Sequence, residues 1–394
     1  MTVASAPTAV QLDTIATLDD FDRLSASWDG LVRAMPRPSP FLLHSWLAAW
    51  WRHYGDEATL AVHTARRDGE LVGAAPMFVR SRMGISVTGF LGGSLSALAD
   101  LLLAPGAGPA VAVELTRRIA GSEPGYLDVH GLPGDSRLAE ALGSSIEVRQ
   151  RVESPVLDLP DGWEAAYNAK TSSKKRNLHR RRRRQLGELG RLDVRVAREP
   201  EALVAALEEA FRLHELRWEG RPDGSDFASP RGRQFHRSAL VELAELDIPR
   251  IVLLTLDGRA IAFHYYFAFE GRMIVHRLGF DPAFARYSPG LVNTLDTIET
   301  AAAEGLTRVE FLGGAERYKV ELADRFDPLC RGLGLARGGR ARALVRAELA
   351  TIDLRLRLKR WPALRHLYVD GIAPLRRVAA RSRATPGTAR DRGG

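Results

Sequence analysis

A single cysteine, Cys330, stands among 394 residues. It cannot close an internal disulfide, and no Cys/His set has zinc-ligand spacing, so a disulfide scaffold and a structural zinc module are excluded. No metal is expected, and a reducing cytoplasm is the expected compartment. Long apolar runs are also missing. The most apolar stretch, 97–113, is interrupted by Asp100, Pro105 and several glycines, well short of the ~20 residues that span a bilayer. The N-terminus lacks the basic start and apolar run of a secretory signal. There is no Walker A motif, no G-x-G-x-x-G after a strand and no G-x-S-x-G elbow. P-loop, NAD or FAD binding and α/β-hydrolase chemistry therefore have no support.

What is present suits an ordinary folded protein of two domains: 45% of residues are hydrophobic and 26% charged. Charge is unevenly placed. The 56 Lys and Arg against 48 Asp and Glu give +8, yet 170–184 alone holds nine Lys/Arg and no acid. Residues 340–394 hold 14 Lys/Arg against Glu348, Asp353, Asp370 and Asp391, which leaves −11 for the remainder. An acidic body with two basic segments can attract phosphate-bearing partners or an anionic membrane surface. The same segments can equally be a solvated helix face and a disordered tail.

Apolar spacing predicts helices over 18–35, 44–53, 108–119 and 136–142, with a hairpin of strands 59–66 and 71–79 and further strands at 126–129 and 147–159. The second half reads as helix 171–188, strand 192–197 and helix 200–218. A polar stretch, 219–233, follows, long enough for a lid. Helix 234–245 then precedes three antiparallel strands, 251–256, 260–269 and 273–280, a helix at 290–304 and a strand at 307–312. Both halves contain two strands joined by Asp-Gly, at Asp68-Gly69 and Asp257-Gly258. That shared pattern hints at two related α/β folds in tandem. In the tail, Val345, Leu349, Ile352 and Leu356 mark one apolar helix face. It is expected to wedge against the body or to lie on an anionic membrane.

The chemistry is expected around two features. Tyr287-Ser288-Pro289-Gly290-Leu291-Val292 links a strand to a helix. Ser288 can cap, Pro289 suits the first turn, and Gly290 admits a ligand, so the helix start can receive a pyrophosphate, with Leu278, Gly279 and Phe280 leading into it. Two-residue periodicity places Ala262, His264, Tyr266 and Ala268 on one strand face, expected to line a cleft. Glu310, between Val309 and Phe311, faces away from the core they enter, towards solvent or a substrate. His276, Tyr318 and Lys319 complete the candidates.

Three antiparallel strands, the phosphate-ready turn, a helix and a strand ending Glu310-Phe311-Leu312-Gly313-Gly314 resemble the acyl-CoA half of GNAT-type N-acetyltransferases. The segment Val309-Glu310-Phe311-Leu312-Gly313-Gly314-Ala315-Glu316-Arg317-Tyr318-Lys319 resembles that of the CelD/BcsL-type acetyltransferases, relatives of the FemABX peptidyltransferases. Pro40-Phe41, Trp46-Leu47-Ala48-Ala49-Trp50-Trp51, Leu71-Val72-Gly73-Ala74-Ala75-Pro76-Met77 and Ser173-Lys174-Lys175-Arg176-Asn177-Leu178 also look familial. The resemblance covers about 12–335. It implies an α/β fold of two tandem GNAT-type domains with mixed, largely antiparallel sheets. The domains run 12–160 and 161–338, followed by a basic helical extension, 339–384, and a disordered tail, 385–394.

It further implies transfer of an acyl group from acetyl-CoA or another acyl-CoA to an amine or hydroxyl of a small molecule, sugar or polysaccharide precursor. The enzyme would be cytoplasmic, with peripheral contact at the inner face of the membrane. Glu310 would be the base, with Tyr266, Tyr318 and His264 as further candidates and Lys319 on a substrate anion. Two alternatives stay open: a FemABX-like transferase using aminoacyl-tRNA, its phosphates on the arginine run, and a non-catalytic nucleic-acid or membrane-surface module.

Overall fold

Four tight hairpin turns set the strand registers. Asp68-Gly69, Met83-Gly84, Asp257-Gly258 and Glu270-Gly271 all have both residues at positive φ, the backbone twist that matches right-twisted antiparallel strands. The computed structural model describes residues 10–121, 125–218, 226–313 and 316–360. In chain order these form β1 (Gln11–Ile15), α1 (Leu18–Asp22), α2 (Ser25–Ala34), α3 (His44–Tyr54), β2 (Ala58–Arg67), β3 (Glu70–Arg82), β4 (Ile85–Phe90), β5 (Leu102–Leu103), α4 (Pro109–Ala120), β6 (Gly125–Pro133), α5 (Arg137–Leu142) and β7 (Ile146–Asp158). There follow α6 (Gly162–Lys170), α7 (Ser173–Gly187), β8 (Leu192–Ala197), α8 (Pro200–Trp218), α9 (Pro230–Ala244), β9 (Pro249–Leu256), β10 (Arg259–Phe269), β11 (Arg272–Phe280), α10 (Pro289–Ala303), β12 (Arg308–Glu310), α11 (Arg317–Leu322), β13 (Arg325–Gly334) and α12 (Gly339–Arg360).

One sheet runs through the molecule in the order β1-β2-β3-β4-β6-β13-β7-β12-β11-β10-β9-β8, with β5 beside β3. Among the described residues only β4/β6 and β11/β12 are parallel pairs, and each is bridged by a helix, α4 or α10, as a parallel crossover requires. The two halves thus repeat one plan. They also exchange strands at the centre: β7, from the first half, pairs with β12, while β13, from the end of the second, pairs with β6 and β7.

The long apolar cluster joins α1–α3, α8 and α9 to the sheet, with Phe21, Trp28, Trp46, Phe235 and Phe267 fully buried. A second cluster lies under α10 and α6. A third seats α12, through Ala341, Val345 and Ile352, against Ile85, Val87, Tyr126 and Leu333. Leu349 and Leu356 flank it, so the apolar face read from the sequence packs against the body.

Three expectations are revised. The helix expected over 18–35 is two, because Leu24 closes a tight turn onto the Phe21 carbonyl (3.0 Å) before α2 begins. Part of the polar stretch 219–233 is regular: Ser229 caps α9, whose first turn starts at Pro230; residues 219–225 lie outside the described residues. Strand β13 had no counterpart in the sequence reading, and neither did α6 or α11. The tail beyond 360 also lies outside the described residues.

Candidate active site

Strands β11 and β12 pair over only three positions, Arg272↔Arg308, Met273↔Val309 and Ile274↔Glu310. There β12 ends; Phe311 donates to the Pro155 carbonyl (3.0 Å) and Leu312 turns the chain at φ 53°. Strand β11 continues to Phe280, so beyond Ile274 it has no strand neighbour on its β12 side among the described residues. The β10/β11 register also shifts here, from Tyr265↔Arg277 to Tyr266↔Val275. This is a bulge that leaves His276 without a partner in the ladder. A cavity of about 590 Å³ opens at the split.

Both halves wall it. Val275–Leu278, Phe311–Gly313, Glu316 and Lys319 come from around the split, His214 and Arg217 from α8, and Phe41, residues 94–97, His130 and Arg151 from the first half. The equivalent gap of the first half, beyond β4/β6, is crossed by its own chain. Ala99 donates to the Gly131 carbonyl (3.0 Å), and a Cβ on Gly131 would lie 2.4 Å from the Ser96 carbonyl. One cleft is plugged, and the plug forms a wall of the other.

The lining is cationic. Lys319 is 2% exposed; its Nζ donates to the Gly313 carbonyl (3.0 Å) and lies 2.9 Å from Glu316 Oε2. Burial pushes its ammonium below the usual lysine range, although Glu316 opposes that. Burial would raise the Glu316 carboxyl, but the charge and hydrogen bond of Lys319, its own backbone N–H and the charge of Arg217 together hold it low. Arg217 stands 3.9 Å from Glu316 and over the Phe280 ring. His214 is pushed down to about 4 by burial, with Arg277 and Arg217 adding to it. His276 is buried among Phe41, Trp46, Tyr265 and Phe267 at ring distances of 5.1–5.7 Å. Burial holds it neutral. On the opposite wall, His130 Nε2 is 3.2 Å from Asp128, which Arg331 grips through two 2.7 Å hydrogen bonds.

Of the candidate residues singled out from sequence, His276, Leu278 and Lys319 line this cavity. Tyr318 is its neighbour on α11, its hydroxyl accepting from Thr294 at 3.5 Å, with burial raising its pKa so that it stays protonated. Glu310 does not face solvent. It is 2% exposed and paired to Arg272 at 2.8 Å, and Arg272 also donates to the Pro38 carbonyl. Both faces of β12 are covered, Val309 by the cluster under α10 and Glu310 by Arg272. His264 and Tyr266 do not line the cleft either. They are buried, with Tyr266 packed beside Val252, Met273 and Val275; the face chosen from periodicity carries the α10 packing.

The Tyr287–Val292 turn lies past the end of β11. Pro289 takes the first helical position as expected, but Ser288 does not cap with its side chain. It adopts φ 56°, ψ 52°, and its carbonyl accepts from Leu291 (3.0 Å) and Val292 (3.2 Å). Gly290 faces Phe280, whose ring would meet a Cβ at 2.9 Å, and Gly279 likewise faces Phe263 at 2.5 Å. A larger residue at either position would have to displace the phenylalanine ring packed against it.

Sequence reasoning missed His130, Arg151, His214, Arg217, Arg277 and Glu316. Asp128-Val129-His130, with its two polar residues on one strand face, was the one available signal. Among the described residues, no group of three His, Cys, Asp or Glu could hold a metal, and no helix is long and apolar enough to cross a membrane.

No curated protein sequence matches the chain. Among solved structures it is similar to FemX, at 10% identity and TM-score 0.59 over 86% of this chain and 99% of that one. It is also similar to the C-terminal domain (DUF2156) of a protein described as a lysylphosphatidylglycerol synthetase from Agrobacterium fabrum, at 12% identity and TM-score 0.51 over 84% and 97%. A tandem GNAT protein from the clavulanic acid pathway aligns at 12% identity and TM-score 0.48 over 84% and 100%. The fold is thus a GNAT-like mixed α/β architecture, and residues 173–320, which carry the split strands, the turn and Lys319, match the acetyltransferase (GNAT) domain family.

Proposed function

We propose that this protein transfers an acyl group from an acyl-CoA thioester to an amine or hydroxyl acceptor in the cavity where β11 and β12 part. One observation carries the reading. The open edge of β11 runs from a two-sided cavity towards the start of a 15-residue helix, α10. The N–H groups of such an edge can hold the amides of an extended pantetheine arm, and the helix start favours its pyrophosphate. The bulge at His276 aims backbone donors differently from the regular ladder, as stabilising a developing oxyanion requires.

In this reading His130, oriented by Asp128, takes the acceptor's proton as its nitrogen or oxygen attacks the thioester carbon. The C–S bond then breaks, and Tyr318 gives its proton to the departing thiolate. Glu310 anchors the end of β12 through Arg272 rather than moving a proton. The CelD/BcsL resemblance supports a sugar or envelope-precursor acceptor. Calorimetry with acetyl-CoA and longer acyl-CoAs tests the donor: binding is expected, and Gly290→Glu should abolish it. No heat at saturating thioester, with Gly290→Glu indistinguishable from the parent, would overturn the reading.

One observation favours a second reading, an aminoacyl-tRNA donor of the FemABX kind. Helix α7 packs beside α10 and the 282–287 turn, and it exposes Arg180, Arg181 and Arg184, an electrostatic surface suited to a nucleic-acid backbone. Filter binding of aminoacylated tRNA, lost in an Arg180/Arg181/Arg184→Glu triple variant, would select it.

A further inference from the structure

Helix α12 has a second face. Ala341, Val345 and Ile352 seat it on the body, and at about 3.6 residues per turn the opposite side carries Ala343, Ala347, Ala350, Leu354 and Arg357, all exposed. Arg342 and Arg346 border that side along one edge, Arg340 and Arg355 along the other, and these four are exposed too. The side chains of Arg342, Arg346, Arg355 and Arg357 have no hydrogen-bond or ion-pair partner among the described residues. The two acids of the helix are taken up by the body: Glu348 by Arg82 and Arg331, Asp353 by Arg149. The outer side therefore presents arginines with no unpaired carboxylate among them. Apolar groups are exposed at both ends of this row. Met83 and Leu354, at 64% and 57%, are the two most exposed large apolar side chains among the described residues. Met83 tips the hairpin between β3 and β4, where its carbonyl accepts from Arg340 (3.1 Å); Leu354 lies three turns further along the helix.

Arg342 and Arg346, four residues apart on a helix, repel each other, and exposed leucine and methionine gain nothing in water. A partner that offsets both costs must bring many negative charges and also admit apolar side chains. A nucleic-acid backbone meets only the first requirement. An anionic lipid surface meets both, because its headgroups attract basic side chains and its acyl boundary accepts shallow apolar ones. We propose that α12 is a membrane-docking helix, its outer face lying on an anionic phospholipid surface with Leu354 and Met83 reaching below the headgroups. Its inner face stays on the sheet, so docking requires no rearrangement of the body. The sequence that follows keeps the same sign, with seven arginines against Asp370 and Asp391 over 361–394. The second basic helix, α7, packs elsewhere, beside α10. The proposal stands whichever donor the cavity uses.

The test is co-sedimentation of the full chain with vesicles of equal parts phosphatidylglycerol and phosphatidylcholine, beside vesicles of phosphatidylcholine alone. Binding to the anionic vesicles only is expected, and it should weaken as salt is raised. Each arginine neutralised should weaken it about fivefold, hence about a hundredfold in Arg342/Arg346/Arg357→Gln. Leu354→Gln, which leaves the charge unchanged, should weaken it about fivefold. Melting temperatures should match the parent, since none of these side chains is buried or paired. Arg180/Arg181/Arg184→Gln on α7 should bind vesicles like the parent. Equal binding to both kinds of vesicle, or binding to neither, overturns the proposal. So does parent-like binding by the α12 triple variant or by Leu354→Gln, or an equal loss in the α7 variant, each of which moves the contact to another surface. Binding of unfractionated tRNA that the α12 triple variant loses and Leu354→Gln keeps, with no vesicle binding, overturns it in favour of a nucleic-acid surface.

Discussion

Lowering the pH from 7 to 5 should remove a large part of this protein's stability, and three histidines account for it. His236, His264 and His276 are buried. Neither ring nitrogen of His236 or His264, nor Nε2 of His276, has a hydrogen-bond partner among the described residues. Burial first, then the neighbouring Lys319 charge, pushes His264 down to about 3. Burial and Arg277 push His236 and His276 well below the ordinary value. An unfolded chain protonates histidine at about pH 6.5. Below that pH the unfolded state binds protons that the folded state refuses, so the contribution is intact above 6.5 and is lost as pH falls towards the folded values. Each group costs about 1.4 kcal/mol per pH unit, hence about 2 kcal/mol at pH 5 and about 6 for the three. Total stabilities are about 5–15 kcal/mol. Urea unfolding followed by tryptophan fluorescence at pH 7, 6 and 5 should show this fall, and His264→Leu should reduce its slope by about one proton. Equal stability at pH 5 and 7, or imidazole NMR signals of these three titrating near 6.5, would refute the argument.

The buried Arg272–Glu310 pair gives a second expectation. Glu310→Gln should cost about 3 kcal/mol or more in denaturant unfolding by stranding the guanidinium, with much of the loss recovered in Arg272→Met/Glu310→Leu. A stable Glu310→Gln variant with turnover at least ~10-fold down would instead make Glu310 the base. His130→Gln should lower turnover about 10²-fold or more without lowering the melting temperature; unchanged turnover would exclude His130. On α12, Ile352→Ala, at a site 1% exposed, should cost about 2–4 kcal/mol. Leu354→Ala, at one 57% exposed, should stay within about 0.5 kcal/mol; equal effects would mean the helix is not seated as described.

Much of the second half was legible because local signals there agree with one another. Asp257-Gly258 and Glu270-Gly271 between apolar runs specify hairpins, and β9 to β11 fall within two residues of the expected bounds. Strand β13 was not legible. Its sequence, Arg325–Gly334, contains a proline and two glycines, and it holds its place by pairing with β6 and β7 on either side. Nothing in a strand's own residues reports such partners. The surroundings of Glu310, His264 and Tyr266, all buried, were illegible for a related reason. Periodicity tells which residues share a face but not what covers that face, and in β12 and this part of β10 both faces are covered. Arg151 and His130 lie more than 100 residues from Lys319, so only the folded chain could place them on the same cavity.

The exchange of β7 and β13 between the halves restricts motion as well as architecture. Swinging one half against the other, as a two-lobed enzyme does to close over its substrate, would tear β13 from β6 or β7 from β12. The molecule has no hinge at its middle. Cutting it between Asp158 and Gly162 would release not two modules but two sheets, each lacking a strand the other still holds. The two walls of the cleft are therefore tied together by shared strands, and admission and release fall to lining side chains such as Arg217, which is ion-paired with Glu316, itself held by the buried Lys319. Turnover in such an enzyme should be limited by chemistry or by the exchange of these ion pairs, not by the opening of lobes.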